Sequence, residues 1–325
     1  MDTQDLKTKL IKFQSIIALL IMCIVLSLLS DRFMSADNIW NVMRQISVNM
    51  IISVGMTLVI LIGGIDLSVG SVLALSGAIT AVMLKYGNEF PGWNIHIGFT
   101  LIGALLGGTL IGAFLGWFNG LTITRFKVPP FVATLAMLTI ARGLTMLLTG
   151  GFPITGFSDQ MAFIGTGWFL GIPMPVWISA VVVLVAVVLT NRTRLGRYIY
   201  AIGGNETAAE LSGLKINKIK LIVYSIAGAL AAVGGIIVTS RLDSAQPNAG
   251  SGFELDAIAA VVIGGTSLSG GKGTIMGTVQ GTLIIGILNN GLVLLNVSPF
   301  WQQVIKGMVI LVAVVIEKFN SKDKQ

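Results

Sequence analysis

Charge is scarce in this chain. Of its 325 residues only 11% are Asp, Glu, Lys or Arg, where a soluble globular domain carries roughly 25%. One cysteine, Cys23, excludes an internal disulfide, and with a single histidine, His96, it excludes the usual His/Cys metal clusters. A nucleotide site is missing too. The Gly-rich stretch 265–273 contains Lys272, but a P-loop needs Gly-x-x-x-x-Gly-Lys-Ser/Thr. Here five residues separate Gly265 from Gly271, and Gly273 stands where Ser or Thr is required. No catalytic function is read from the chain, and no cofactor or metal is expected on it.

What the chain has instead is apolar residues, 54% of the total, and 40 glycines. Glycine is common in membrane helices, where it lets helices pack closely. A membrane span takes about 20 apolar residues. Reading apolar runs between polar breaks gives ten, at 13–29, 46–63, 68–84, 95–121, 131–148, 176–190, 220–238, 254–264, 277–295 and 301–316. The fold expected is an all-α integral membrane protein of about ten helices, a single domain over 1–325. The eighth run is too short to span as a simple helix. It is read as tilted, broken, or entered through a buried segment near 251–256, which is tolerated only where protein or water covers it. The first run follows Lys7, Lys9 and Lys12, and no small-x-small cleavage site follows it, so it reads as an uncleaved span.

The net charge of +7 is distributed along membrane loops, which argues for anchoring in the lipid bilayer and against nucleic acid. One set of alternate loops holds the N-terminal lysines, Arg125, Lys127, six basic residues from Arg192 to Lys220, Lys272, and the tail with Lys318, Lys322 and Lys324. The other holds only Arg32, Lys85 and Arg241, with Asp31, Glu89, Asp159, Asp243 and Glu254, and its longest member, 149–175, has no Lys or Arg. The positive-inside rule then places both termini in the cytoplasm of a multi-pass inner-membrane protein, which requires an even number of spans. An internal echo pairs 62–70 (IGGIDLSVG) with 263–271 (IGGTSLSGG). Internal duplication, common in transporters, and chance in a Gly-rich chain both remain open.

The most informative stretch is 203–218, on the expected cytoplasmic side. Asn205 is a good N-cap, Glu206 suits the first turn, and Gly213 can end the helix. This predicts a short helix outside the membrane, small on one side through Ala208 and Ala209. It can either rest on lipid headgroups or seat in a groove of an ATPase subunit. Its sequence, Glu206-Thr207-Ala208-Ala209 followed by Gly213, resembles the Glu-Ala-Ala…Gly signature of ABC importer permeases, departing from it at Thr207. The stretch 193–205 (TRLGRYIYAIGGN) resembles the ribose-type permeases of these importers. So do 64–71 (GIDLSVGS), 244–247 (SAQP) and 254–266 (ELDAIAAVVIGGT). The blocks cover most of the chain, from about residue 48 to 295.

The resemblance implies a homodimer of permeases on two ATP-binding subunits that use ATP-Mg, fed by a periplasmic sugar-binding protein. It implies that Asn205, Glu206, Ala208, Ala209 and Gly213 form the ATPase-coupling element. Ribose is the sugar implied, and another monosaccharide fits nearly as well. The rival is a symporter, which needs ionisable groups within the membrane. Asp66 and Asp256 sit at span borders, Arg44, Arg142 and Lys306 lie toward span ends where they can snorkel, and no interior acid has an obvious partner. For a neutral sugar, the polar residues inside apolar runs are candidate pathway groups: Asn49, Thr57, Asn119, Gln280, Asn289 and Asn290. Each can instead bond a neighbouring helix.

Overall fold

The computed structural model describes the backbone of residues 3–90 and 95–322 and the side chains of 16–87 and 98–315. The side chains of Lys7, Lys9, Lys12, Glu89, His96, Lys318, Lys322 and Lys324 lie outside the described residues. In chain order the helices are α1 (Thr3–Leu29), α2 (Ala36–Leu61), α3 (Val69–Lys85), α4 (Leu101–Arg125), α5 (Pro130–Thr149), α6 (Asp159–Thr166), α7 (Met174–Arg192), α8 (Arg194–Gly204), α9 (Glu206–Leu211), α10 (Ile216–Arg241), α11 (Phe253–Ile263), α12 (Ile275–Leu294) and α13 (Pro299–Lys322). Three two-stranded ribbons join them: β1 (Asn88–Phe90) with β2 (Ile95–Ile97), β3 (Ile154–Thr155) with β6 (Ser244–Ala245), and β4 (Trp168–Phe169) with β5 (Ile172–Pro173).

Each of the ten apolar runs falls on a helix. Among the described residues, six of them (α2, α4, α5, α7, α10 and α12) are long and apolar enough to cross a membrane. Shorter apolar helices occupy Ile16–Leu29, Val69–Lys85 and Pro299–Val315, and α11 has only 11 residues. Two boundaries differ from expectation. The second helix starts at Ala36, ten residues before 46, because Ser35 caps it by accepting from the Asn38 N–H. Its polar first half (Asp37, Asn38, Asn41, Arg44) reads as a break but continues the helix. The fourth starts at Leu101 under a Thr100 cap and not at 95. Residues 95–97 alternate apolar and polar, and they form a strand.

The core is built around α2 and α10, with α3, α4 and α11 packed on them. Residues Ile51, Val54, Leu58 and Ile60 of α2 and Val223, Ala227, Ala231 and Ile237 of α10 are almost wholly buried. Contact between α4 and α10 depends on glycines four apart. A methyl group at Gly112 or Gly116 would collide with Gly228 or Tyr224, and one at Gly120 would press on Leu221. In lipid, where the surroundings are as apolar as leucine, such close approach is a principal source of helix association. The two echoing segments meet at one end of the bundle, where Gly270 abuts Gly63 and the Gly271 N–H donates to the carbonyl of Leu61, just before the first segment, at 2.9 Å.

Candidate coupling and translocation sites

At that same end, α8 and α9 form a two-helix projection. Thr193 caps α8 through the Gly196 N–H, and Leu195, Tyr198, Ile199 and Ile202 recur at helical spacing on its inner face. Ile199 and Ile202 are wholly buried. Gly203 fits where α8 crosses the end of α2, against the Leu61 carbonyl and Gly271. The projection is therefore seated on the last turn of a core helix.

The second helix, α9, is short and closed at both ends. The Asn205 side chain accepts from the Ala208 N–H at 2.9 Å, a cap whose loss costs about 1 kcal/mol. Gly213 takes a left-handed conformation (φ 83°), and the Leu214 N–H then reaches back to the Ala209 carbonyl at 3.2 Å. Glu206 pairs with Lys220 of α10 at 2.7 Å. Being half exposed, that pair contributes about 1 kcal/mol at most. One expectation is corrected here. Ala209 does not face outward beside Ala208; it is 6% exposed and packs in the chain's own cluster with Ile216 and Ile219. The outward face is Thr207, Ala208, Glu210 and Leu211, and Leu211 is 86% exposed.

Beside α9 a cleft of about 350 Å³ is lined by Gly63, Gly64, Gly203, Asn205, Glu206, Lys220 and Tyr224. Just inside it lies a polar knot. Asp66, almost wholly buried, accepts from the Ser68 N–H at 2.9 Å and the Ser68 hydroxyl at 2.6 Å. The Asn119 amide donates in turn to Ser68 Oγ at 2.9 Å. Burial pushes the Asp66 carboxyl above its usual range, while the two bonds from Ser68 pull it down.

Four of the six polar residues of the apolar runs bond across elements. Thr57 shares a 2.6 Å hydroxyl bond with Thr278 of α12, and Asn119 holds Ser68. Asn290 exchanges two amide bonds with Asn38, at 3.1 and 2.8 Å. Asn289 donates to Asp256 at 3.4 Å. These four are engaged between elements. Asn49 is buried and Gln280 half-buried, and neither makes a side-chain hydrogen bond among the described residues.

The charged residues read as snorkelling are tied down. Lys306 pairs with the buried Asp256 at 3.0 Å, so an interior acid does have a partner. Arg142 Nη1 donates to the carbonyls of Pro247 and Ala249 at 2.6 and 2.9 Å. Arg44 lies 4.9 Å from the centre of the Trp168 ring, and Trp168 meets Trp40 edge-on at 5.4 Å. Sequence reasoning missed α8, although its 195, 198, 199, 202 periodicity was available, and missed these pairings, whose partners, such as Arg142 and Ala249, are as much as 107 residues apart or, for Arg44 and Trp168, farther still.

The comparisons with known proteins agree in kind. A family model described as the permease component of a branched-chain amino acid transport system matches residues 38–314. The ribose import permease protein of Haemophilus influenzae is 54% identical over 97% of this chain and 95% of its own length. The ribose import permease protein of Bacillus subtilis is 49% identical over 99% of this chain and all of its own. The D-allose transport system permease protein of Escherichia coli is 40% identical over 93% and 90%. No solved structure matches the chain.

Proposed function

The chain belongs to this family of transport-system permease components, and on that premise we propose that it carries ribose as the membrane-spanning subunit of an ATP-driven importer. It is a multi-pass membrane permease of the ABC sugar-importer type and a transporter subunit, not an enzyme. The observation that carries the finer reading is the 54% identity, over nearly the whole length, to a ribose import permease.

In this reading α8 and α9 lie in the cytoplasm, as do both termini. A separate ATPase subunit using ATP-Mg grips the outward face of α9, a periplasmic binding protein delivers the sugar to the opposite end, and two copies of the chain form the transporter. The exposed Leu211 supports the ATPase contact. A leucine at the tip of a capped helix, beyond the protein's own core, is suited to an apolar groove. The seat of Gly203 on α2 gives the ATPase a rigid connection to the core.

Reconstitution in liposomes tests this. With its ATPase and binding protein, the permease should take up labelled ribose only when ATP is supplied on the ATPase side. Allose is the competitor to include, since an allose permease is 40% identical. Uptake driven by a proton gradient without an ATPase would sink the proposal.

A further inference from the structure

Between α10 and α11 the chain turns back into the bundle. The ribbon β3–β6 lies near one end of α3, where Ala245 packs with Ala81. Five residues later Gly250 is in contact with Gly70, near the other end of the same helix. At 1.5 Å per residue, the eleven residues from Ala81 to Gly70 cover roughly 16 Å. Two other helices support this depth. Arg142, which holds the carbonyls of Pro247 and Ala249, and Lys306, which holds Asp256, each lie seven residues, or about 10 Å, inside their helix ends at Thr149 and Pro299. Then α11 runs only 11 residues, about half of a hydrocarbon core of about 30 Å. Residues 246–252 are thus irregular backbone at membrane depth.

The faces of this segment differ. Pro247 and Gly250 are buried against the bundle, while Gln246, Asn248 and Ser251 are exposed. Ser251 donates to the Asn248 carbonyl at 2.9 Å, but the side-chain amides of Gln246 and Asn248 make no hydrogen bond among the described residues. Irregular backbone carrying free amides is not stable against lipid; at this depth it must face water or protein. Nor is the exposed chemistry charged. Arg142 is spent on the segment's carbonyls, and the Glu254 carboxylate accepts from the Gly252 N–H at 3.2 Å.

Building on the importer reading above, we infer that 246–252 lines the sugar's route and that the amides of Gln246 and Asn248 contact its hydroxyls. An amide offers both donor and acceptor without charge, which suits a neutral polyhydroxyl ligand. Arg142 and Glu254, each bonded to the segment's backbone, hold it in place.

The test has two arms. In a Cys23→Ser background, Gln246→Cys and Asn248→Cys should react with a hydrophilic, impermeant thiol reagent, while Leu184→Cys on the exposed apolar face of α7 should not. Gln246→Ala and Asn248→Ala keep the main-chain bonds of the turn. Each should reduce ATP-driven ribose uptake about five- to tenfold, the effect of one lost hydrogen bond, at unchanged permease abundance and ATPase binding. Unreactive cysteines would mean that lipid or a second copy seals this face, and normal uptake in both alanine variants would mean that the amides do not touch the sugar. Either result overturns the inference while leaving the importer reading intact. Failure of the unaltered protein to import ribose, with both cysteines reactive, would remove the sugar but not the aqueous face.

Discussion

Lys306 of α13 reaches Asp256 in the first turn of α11, Nζ to Oδ2 at 3.0 Å, and Asp256 is 5% exposed. The contact fixes a helix too short to anchor itself across a bilayer. Asn289 of α12 adds its amide to the same oxygen, so three helices meet at one carboxylate. Depth and register of α11 are set there.

Breaking this pair from one side should be worse than removing it. Lys306→Ala leaves a buried carboxylate unpaired and should cost about 3–5 kcal/mol; Asp256→Ala leaves Lys306, whose side chain is 29% exposed and reaches solvent, and should cost less. The double change Asp256→Asn with Lys306→Gln removes both charges and should recover most of that loss. Thermal unfolding of the detergent-purified variants measures it. A double variant as unstable as the single ones would show that the pair contributes shape rather than charge compensation.

Two adjacent glycines should behave differently. At Gly203 a methyl group would overlap the Leu61 carbonyl and the Gly271 amide, whereas nothing lies within 4 Å of one at Gly204. Gly203→Ala must push α8 off the end of α2 or displace the 2.9 Å bond between Gly271 and Leu61. Transport should be lost in Gly203→Ala and kept in Gly204→Ala. Equal activity in the two would show that the seat of α8 transmits nothing.

Much of this architecture is legible in the amino-acid sequence. The cap at Asn205 and the stop at Gly213 are local chemistry, and the fold contains both. Long apolar runs identify helices because lipid leaves the backbone no other partner. Local reading fails where a distant partner decides. Ser35 starts α2, but its polar first half reads as a break because the partner of Asn38, Asn290, is 252 residues away. Ala209 looks like a surface alanine until Ile216 and Ile219 fold over it. The depth of 246–252 depends on Arg142, about a hundred residues upstream, and apolar counting does not reveal it.

Orientation can be tested at two sites. Gln160 on α6 and Ser212 after α9 are both exposed, at opposite ends of the bundle. By the positive-inside rule, the scarcity of Lys and Arg in 149–175 and their abundance from Arg192 to Lys220 predict Gln160 outside and Ser212 in the cytoplasm. In a Cys23→Ser background, an impermeant thiol reagent added to intact cells should label Gln160→Cys alone. Labelling of Ser212→Cys from outside would reverse the topology.

The last prediction separates the two sides of α9. Leu211 is 86% exposed and Ala209 is 6% exposed. A glutamate at 211 meets water in the free permease and costs it little, so Leu211→Glu should fold, insert and reach normal abundance. If an ATPase groove receives this face, the same charge must be desolvated on binding, at a cost of several kcal/mol without a partner. Co-purification of the ATPase and ATP-driven uptake should then fall together. Ala209→Glu, by contrast, forces a carboxylate into the cluster with Ile216 and Ile219 and should lower abundance of the permease itself. Leu211→Glu permease that retains its ATPase and imports sugar normally would show that α9 rests on lipid headgroups instead.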